Sequence, residues 1–165
     1  MITREKMQPG ETQYFRFESD FVEQHLRCIP MIVRFKLDAC GVKLKLAEWS
    51  RFQEKERKIL ATMPCSSQEE IDQYRSFLKL LILTRTGNAA SLCQIEEFPA
   101  WADTTQVLPS LSAIAIDTGF SISLSQWTAL NNLQRFALIK LCRPGHENAN
   151  FPRAMKEFGF NGKEN

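Results

Sequence analysis

The chain is short of nearly every feature that marks a function class at sight. It has no run of eighteen apolar residues, so the sequence offers no membrane-spanning helix. Its first thirteen residues, MITREKMQPGETQ, are polar and hold no apolar signal region, which leads us to expect a reduced, cytoplasmic setting. The five cysteines, Cys28, Cys40, Cys65, Cys93 and Cys142, are odd in number and stand apart with no C-x-x-C pair. That spacing is neither a disulfide framework nor a zinc knuckle. Charge of one sign is missing too: 21 Lys and Arg against 19 Asp and Glu leave a formal +2, without the basic excess of a nucleic-acid binder. There is no glycine-rich phosphate loop and no nucleophile paired with a base, so no cofactor and no catalytic residue is expected.

What is present is a repeat. Gly41–Met63, GVKLKLAEWSRFQEKERKILATM, recurs without a gap as Gly119–Leu141, GFSISLSQWTALNNLQRFALIKL, at an offset of 78 (the difference between 41 and 119). Gly41 meets Gly119, Trp49 meets Trp127, Arg57 meets Arg135 and Leu60 meets Leu138, while Val42/Phe120, Leu44/Ile122 and Phe52/Leu130 match in kind. With 165 residues, 44% of them hydrophobic, one globular domain with a sizeable core is expected over residues 14–160, behind a mobile tail at 1–13. Copy one covers about 30–84 and copy two about 108–160, joined by a linker at 86–107.

The local signals give each copy a helix, a short strand and two more helices. Tyr14-Phe15-Arg16-Phe17 reads as a short strand or an anchoring extended segment, and Ser19 as the cap of a helix to about Arg27. Pro30–Cys40 and Pro109–Thr118 are helices stopped by Gly41 and Gly119. Strict alternation follows each glycine, Val42/Leu44/Leu46 and Phe120/Ile122/Leu124, which means a half-buried strand. The two strands are expected to pair with each other across a pseudo-twofold and join the copies. Trp49 and Trp127 open the next helices as core plugs, with Ser125 available as a cap in copy two where Ala47 cannot serve in copy one. Asn131-x-x-Gln134 starts the following helix, and Arg57 and Arg135 read as helix-end braces. Ser66-x-x-Glu69 or Ser67-x-x-Glu70 starts a helix to Thr84 stopped by Gly87, and a short helix runs from about Phe151 to Phe158, capped by Asn150. In the linker, Phe98 and Trp101 are expected to be pegs. The fold class is therefore mainly α with a small two-stranded antiparallel element, in a pseudo-symmetric single domain.

Candidate contact residues lie where the copies differ. Residues 143–148, RPGHEN, crowd Arg143, His146, Glu147 and Asn148 into a turn that copy one replaces by CSSQEE at 65–70. This turn reads as a hydrogen-bonded corner or as a partner-binding loop on a rigid scaffold. Cys142 and His146 are four apart, but Pro144 and Gly145 break the helix that would aim them at one metal. Arg27 to Lys58 holds nine basic residues against Asp38, Glu48, Glu54 and Glu56, so Lys43, Lys45 and Arg51 are candidates to steer an acidic partner. No Lys or Arg occurs between Arg85 and Arg135. Cys28, beside Ile29-Pro30, reads as buried at a helix junction or, less directly, as a contact.

The stretches FESDFVEQHLRCIPMIVRFKLDACGVKLKLAEWS and ISLSQWTALNNLQRFALIKLCRPGHENANFPRAMKEF resemble the nitrate reductase-associated protein family of cyanobacteria and some other bacteria. The likeness covers about Tyr14 to Phe160 and is most specific in LRCIPM, CGVKLKL and RFALIKLCRPGHEN. It implies a non-enzymatic accessory protein of nitrate assimilation, required for molybdenum-containing nitrate reductase and acting in assembly, cofactor insertion or electron delivery. It implies as partner the reductase or its maturation machinery, with no nucleic acid and no membrane, and no catalytic residues come with it. The pseudo-twofold leaves a monomer sufficient. The competing expectation is a carrier or enzyme handling a metal or molybdopterin through His146 and a nearby cysteine.

Overall fold

Residues 14–19, 26–143 and 149–163 are described by a computed structural model of the chain. Among them stand eight α-helices and one two-stranded antiparallel sheet, so the mainly helical reading with a small β element holds. Their contacts fall into two compact units: Tyr14 with residues 26–95, and residues 15–19 with 96–143 and 149–163. The tail at 1–13, most of the helix expected from Ser19 to Arg27, and residues 144–148 lie outside the described residues.

In the first unit, α1 spans Met31–Cys40, with Pro30 in extended conformation before it and Gly41 in the left-handed region after it (φ 69°). The chain continues through β1 (Val42–Lys43), α2 (Leu46–Trp49), α3 (Glu54–Thr62), α4 (Gln68–Thr86) and β2 (Ser91–Leu92). Of the two overlapping start signals before α4, the one at Ser67 is used. The Glu70 amide donates to Ser67 Oγ at 3.2 Å and the Ser67 amide to Glu70 Oε2 at 3.0 Å, so two open donors of the first turn are satisfied reciprocally. The core is one cluster in which Val33, Trp49, Leu60, Leu78 and Ile82 are fully enclosed.

The strand pairing departs from the sequence expectation. β1 pairs with β2 of the same unit, Val42 opposite Leu92 and Lys43 opposite Ser91, and not with residues 120–124. Residues 120–124 form no strand, because their backbone groups are already engaged. The Phe120 amide closes the preceding helix onto Ala115 O at 2.7 Å, and Gly119 O accepts from the Lys163 amide at 2.7 Å. Ser123 then caps the next helix, whose first residue is Leu124. The cap is thus Ser123, two residues before the Ser125 expected.

The second unit holds α5 (Pro109–Asp117), α6 (Leu124–Ala129), α7 (Asn132–Leu141) and α8 (Phe151–Glu157), with 3₁₀ turns at Arg16–Glu18 and Ala100–Ala102. Asn131 caps α7 as its spacing promised, its Oδ1 accepting the Gln134 amide at 2.8 Å. Asn150 precedes α8 but its side chain makes no cap bond. The 14–17 segment is not a strand: Phe15 and Phe17 are buried, 5.2 and 6.2 Å from the Phe158 ring, and the Phe15 amide donates to Glu18 Oε2 at 3.2 Å across the turn. The aromatic pair anchors the segment by burial rather than by a ladder.

Both stop glycines have positive φ, but their surroundings differ. A Cβ at Gly41 would stand 2.9 Å from Cys93 O and 2.8 Å from Ile95 Cγ1, whereas one at Gly119 would meet nothing within 4 Å. Gly119→Ala should therefore cost about 1 kcal/mol, the left-handed penalty alone. Gly41→Ala should cost at least twice that, because the backbone of the strand partner cannot yield. Urea unfolding of both variants checks the order, and equal losses would contradict it.

Candidate functional site

The side chains able to do chemistry are, in the first unit, gathered between α1, α3 and α4. Lys36 lies on the inward arc of α1 with Val33, Leu37 and Cys40. Its ammonium donates to Ala61 O and Met63 O, both at 2.7 Å, and lies 5.8 Å from the centre of the Tyr74 ring. It thereby closes the carbonyl end of α3, the end that a cation suits. Tyr74 in turn donates to Leu60 O at 2.8 Å, and Cys65 Sγ lies 3.9 Å from Lys36 O. Burial lowers the Lys36 pKa to about 8. Burial, reinforced by Cys40, pushes the Cys65 thiol up to about 12, and burial likewise raises Cys40 and Tyr74. These thiols are held protonated, the opposite of an activated cysteine.

Two arginines close the tryptophan-bearing helices. In the first unit Trp49 is fully buried and its Nε1 donates to Leu26 O at 2.7 Å; Leu26 itself has a positive φ of 57°. Arg57 sits 5.8 Å from the Trp49 ring and donates to Trp49 O at 3.2 Å and Ser50 O at 3.0 Å. In the second unit Trp127, also fully buried, donates to Asp103 O at 2.9 Å. Arg135 sits 6.0 Å from that ring and donates to Trp101 O at 2.7 Å, Trp127 O at 3.5 Å, Asn132 Oδ1 at 2.5 Å and, more closely, Leu130 O. Burial lowers the Arg135 pKa. Its charge is balanced by backbone carbonyl dipoles and the Asn132 side-chain oxygen, and one of these carbonyls, Trp127 O, also accepts the Leu130 amide.

The remaining candidates sit at the surface. Lys43 on β1, Lys45 at the start of α2 and Arg51 just after it are exposed, all in the first unit. Arg143 is exposed just past α7 in the second unit, while His146, Glu147 and Asn148 lie outside the described residues. Cys28 is half-buried, and Cys142 is buried with its Sγ 3.1 Å from Ile139 O. Among the described residues no group of three or more His, Cys, Asp and Glu is placed to hold a metal ion. Lys43, Lys45 and Arg51 thus lie in one unit and Arg143 in the other.

Two functional features escaped the sequence reading. Lys36 had a signal, a lysine on the apolar arc of a helix. Glu56 and Arg85, tied by contacts of 2.5 and 3.2 Å between α3 and α4, had none, because they are distant in sequence. Burial pushes the Glu56 carboxyl up, but the Arg85 guanidinium and the Gln53 amide more than offset it, and the group stays below the ordinary glutamate range.

Two outcomes follow. Arg135→Lys should lose about 2 kcal/mol in urea unfolding, since one ammonium cannot serve four divergent acceptors, and Arg57→Lys, whose side chain is less enclosed and whose Ser50 contact is exposed, should lose less. For Lys36 the folded pKa is below the usual lysine value, so the buried charge burdens the native state fully below about pH 8. That burden lifts as pH rises above this. The stability of the wild type relative to Lys36→Met should therefore grow between about pH 8 and 9; a flat difference would remove the argument. The raised Cys and Tyr groups act the opposite way at higher pH but cancel in this comparison.

Comparison with curated proteins and with solved structures gives no match. The model of the conserved nitrate reductase-associated protein family matches residues 14–158 of the 165, and the chain belongs to that family.

Proposed function

We propose that this chain is an accessory protein of assimilatory molybdenum nitrate reductase that acts by protein contact, in assembly, cofactor insertion or electron delivery, and not by catalysis of its own. The observation that carries the reading is the family match over residues 14–158. The disposition of the reactive groups supports it: Lys36, Arg57 and Arg135 spend their donors on backbone carbonyls, and the buried thiols stay protonated. The exposed Lys43, Lys45 and Arg51 steer an acidic surface of the reductase or of a cofactor-loading protein, and Arg143, His146, Glu147 and Asn148 form a second contact. The protein works as a cytoplasmic monomer without nucleic acid or membrane. Its two units derive from one duplicated module, a reading supported by the recurrence of glycine stop, tryptophan helix and arginine brace in the same order.

The test is co-purification of the tagged chain from its native host grown on nitrate. The reductase or a molybdenum-cofactor protein should be retained at low salt, less so at high salt, and less by the Lys43→Glu/Lys45→Glu double variant. Arg143→Ala and His146→Ala should also weaken retention. Failure of the wild type to retain either protein would sink the reading. So would a stoichiometric metal or pterin in the purified chain, found by metal analysis and absorption spectroscopy.

A further inference from the structure

We infer that the stretch Leu92–Phe98, LCQIEEF, is the anchor by which this protein seats in its partner, and that it fits an apolar groove rimmed by lysine or arginine. The inference rests on the accessory reading above and names where that contact draws its affinity.

The starting point is an expectation that failed. Phe98 was read as a peg of the linker, yet it is 85% exposed, the barest large apolar side chain among those described. Leu92 is 60% and Ile95 46% exposed, so three large apolar groups at intervals of three residues stand in water within one continuous piece of chain. Single exposed apolar residues need no explanation, but a cluster of them marks a contact surface. Trp101, three residues further on, is half-buried, and its carbonyl is held by Arg135, so the exposure ends where the chain is fastened.

Each end of the stretch is fastened within its own unit. At its start the Cys93 amide donates to Gly41 O at 2.9 Å and extends the β1–β2 ladder, and Ile95 lies across Gly41, where no side chain stands between them. At its end Pro99, fixed near φ −64°, leads into the 3₁₀ turn at Ala100–Ala102, which packs on α7. Apolar side chains carried on fastened ends lose less freedom on docking than those of a wholly floppy segment. Being contiguous, it needs no particular arrangement of the two units.

Charge selects the partner's chemistry. Glu96 and Glu97 lie between Ile95 and Phe98 and are exposed, and residues 86–134 contain the carboxylates Glu96, Glu97, Asp103 and Asp117 with no lysine or arginine. A groove with a cationic rim therefore complements the stretch, and an acidic one is rejected. The apolar trio gives the bound lifetime and the two carboxylates quicken encounter. This is opposite in sign to the steering face at Lys43, Lys45 and Arg51, so the partner presents both signs.

Cys93, exposed near the start of the stretch, makes the test possible on the unaltered protein. With the co-purified partner bound, alkylation of Cys93 by iodoacetamide, followed by peptide mass spectrometry, should slow at least tenfold, and it should be fast in the free chain. Phe98→Ala should weaken association with the purified partner by tenfold or more while leaving the melting temperature nearly unchanged, because the side chain is 85% exposed. Glu96→Gln/Glu97→Gln should slow association and flatten its salt dependence. If the wild type retains the partner but Cys93 is alkylated at the free rate, or Phe98→Ala binds as well as wild type, this inference falls and the accessory reading stands. If the wild type retains no partner, the accessory reading falls and takes the inference with it. If light scattering shows a dimer of the chain alone that Phe98→Ala dissociates, the stretch is a self-contact and the proposed groove is wrong.

Discussion

A guanidinium donating to the carbonyls where a tryptophan-bearing helix ends is the interaction on which each unit depends. A helix of four to six residues cannot satisfy its own backbone: most of its donors and acceptors are the unpaired ones of its two ends. α2 and α6 are that short, yet each carries the fully buried indole of its unit. The indole brings apolar area, and its N–H, once buried, must find an acceptor. It finds one outside its helix, Leu26 O in one unit and Asp103 O in the other. The arginine one helix later then adds a charged donor at the end of the short helix, to Trp49 O or Trp127 O, each of which also accepts a backbone amide from the turn that follows. Remove the arginine and several carbonyls lose a charged donor at once, which is why a lysine, with one cationic centre, is a poor replacement.

The rest of each unit follows from fixing that corner. Once Trp49 and Arg57 set the path from α2 into α3, the carbonyl end of α3 falls where Lys36 of α1 closes it, and Tyr74 of α4 reaches Leu60 O. The second unit has no counterpart of this arrangement, because the position matching Lys36 is Ile114. It uses instead the turn at Ala100–Ala102, whose Trp101 carbonyl completes the Arg135 shell. The same corner is thus supported from different sides, by a buried lysine in one unit and by a loop carbonyl in the other.

Where the sequence was legible, the governing physics was local. Asn131-x-x-Gln134 and Ser67-x-x-Glu70 are caps whose donors and acceptors lie three residues apart, and Gly41 and Gly87 are stops set by one residue's φ. The alternation at 120–124 misled on both counts: Leu124, expected to face inward, is 47% exposed, and the amides are committed to helix ends instead of a ladder. Phe120 is indeed buried, but its amide closes α5 and its neighbours cap α6. The partner of β1 could not be found by pattern either, since Ser91 and Leu92 show no alternation and are placed by the return of the chain after the 19-residue α4. Of the candidate contact residues, the sequence located the exposed basic set; it mistook Phe98, for an aromatic residue in a linker reads as buried by composition alone.

That mistake bears on how this protein works. A chain that has enclosed two tryptophans and tied down its buried cations has no shortage of interior, so a bare phenylalanine held between a strand ladder and a proline is not a packing failure. Leaving it in water is unfavourable by roughly 2 kcal/mol relative to a buried ring. The surrounding carboxylates keep such a surface soluble, and they do so without cations that would draw nucleic acid. The arrangement is consistent with a protein whose reactive groups are satisfied internally and whose free energy of association is stored on one short, acidic, apolar strip.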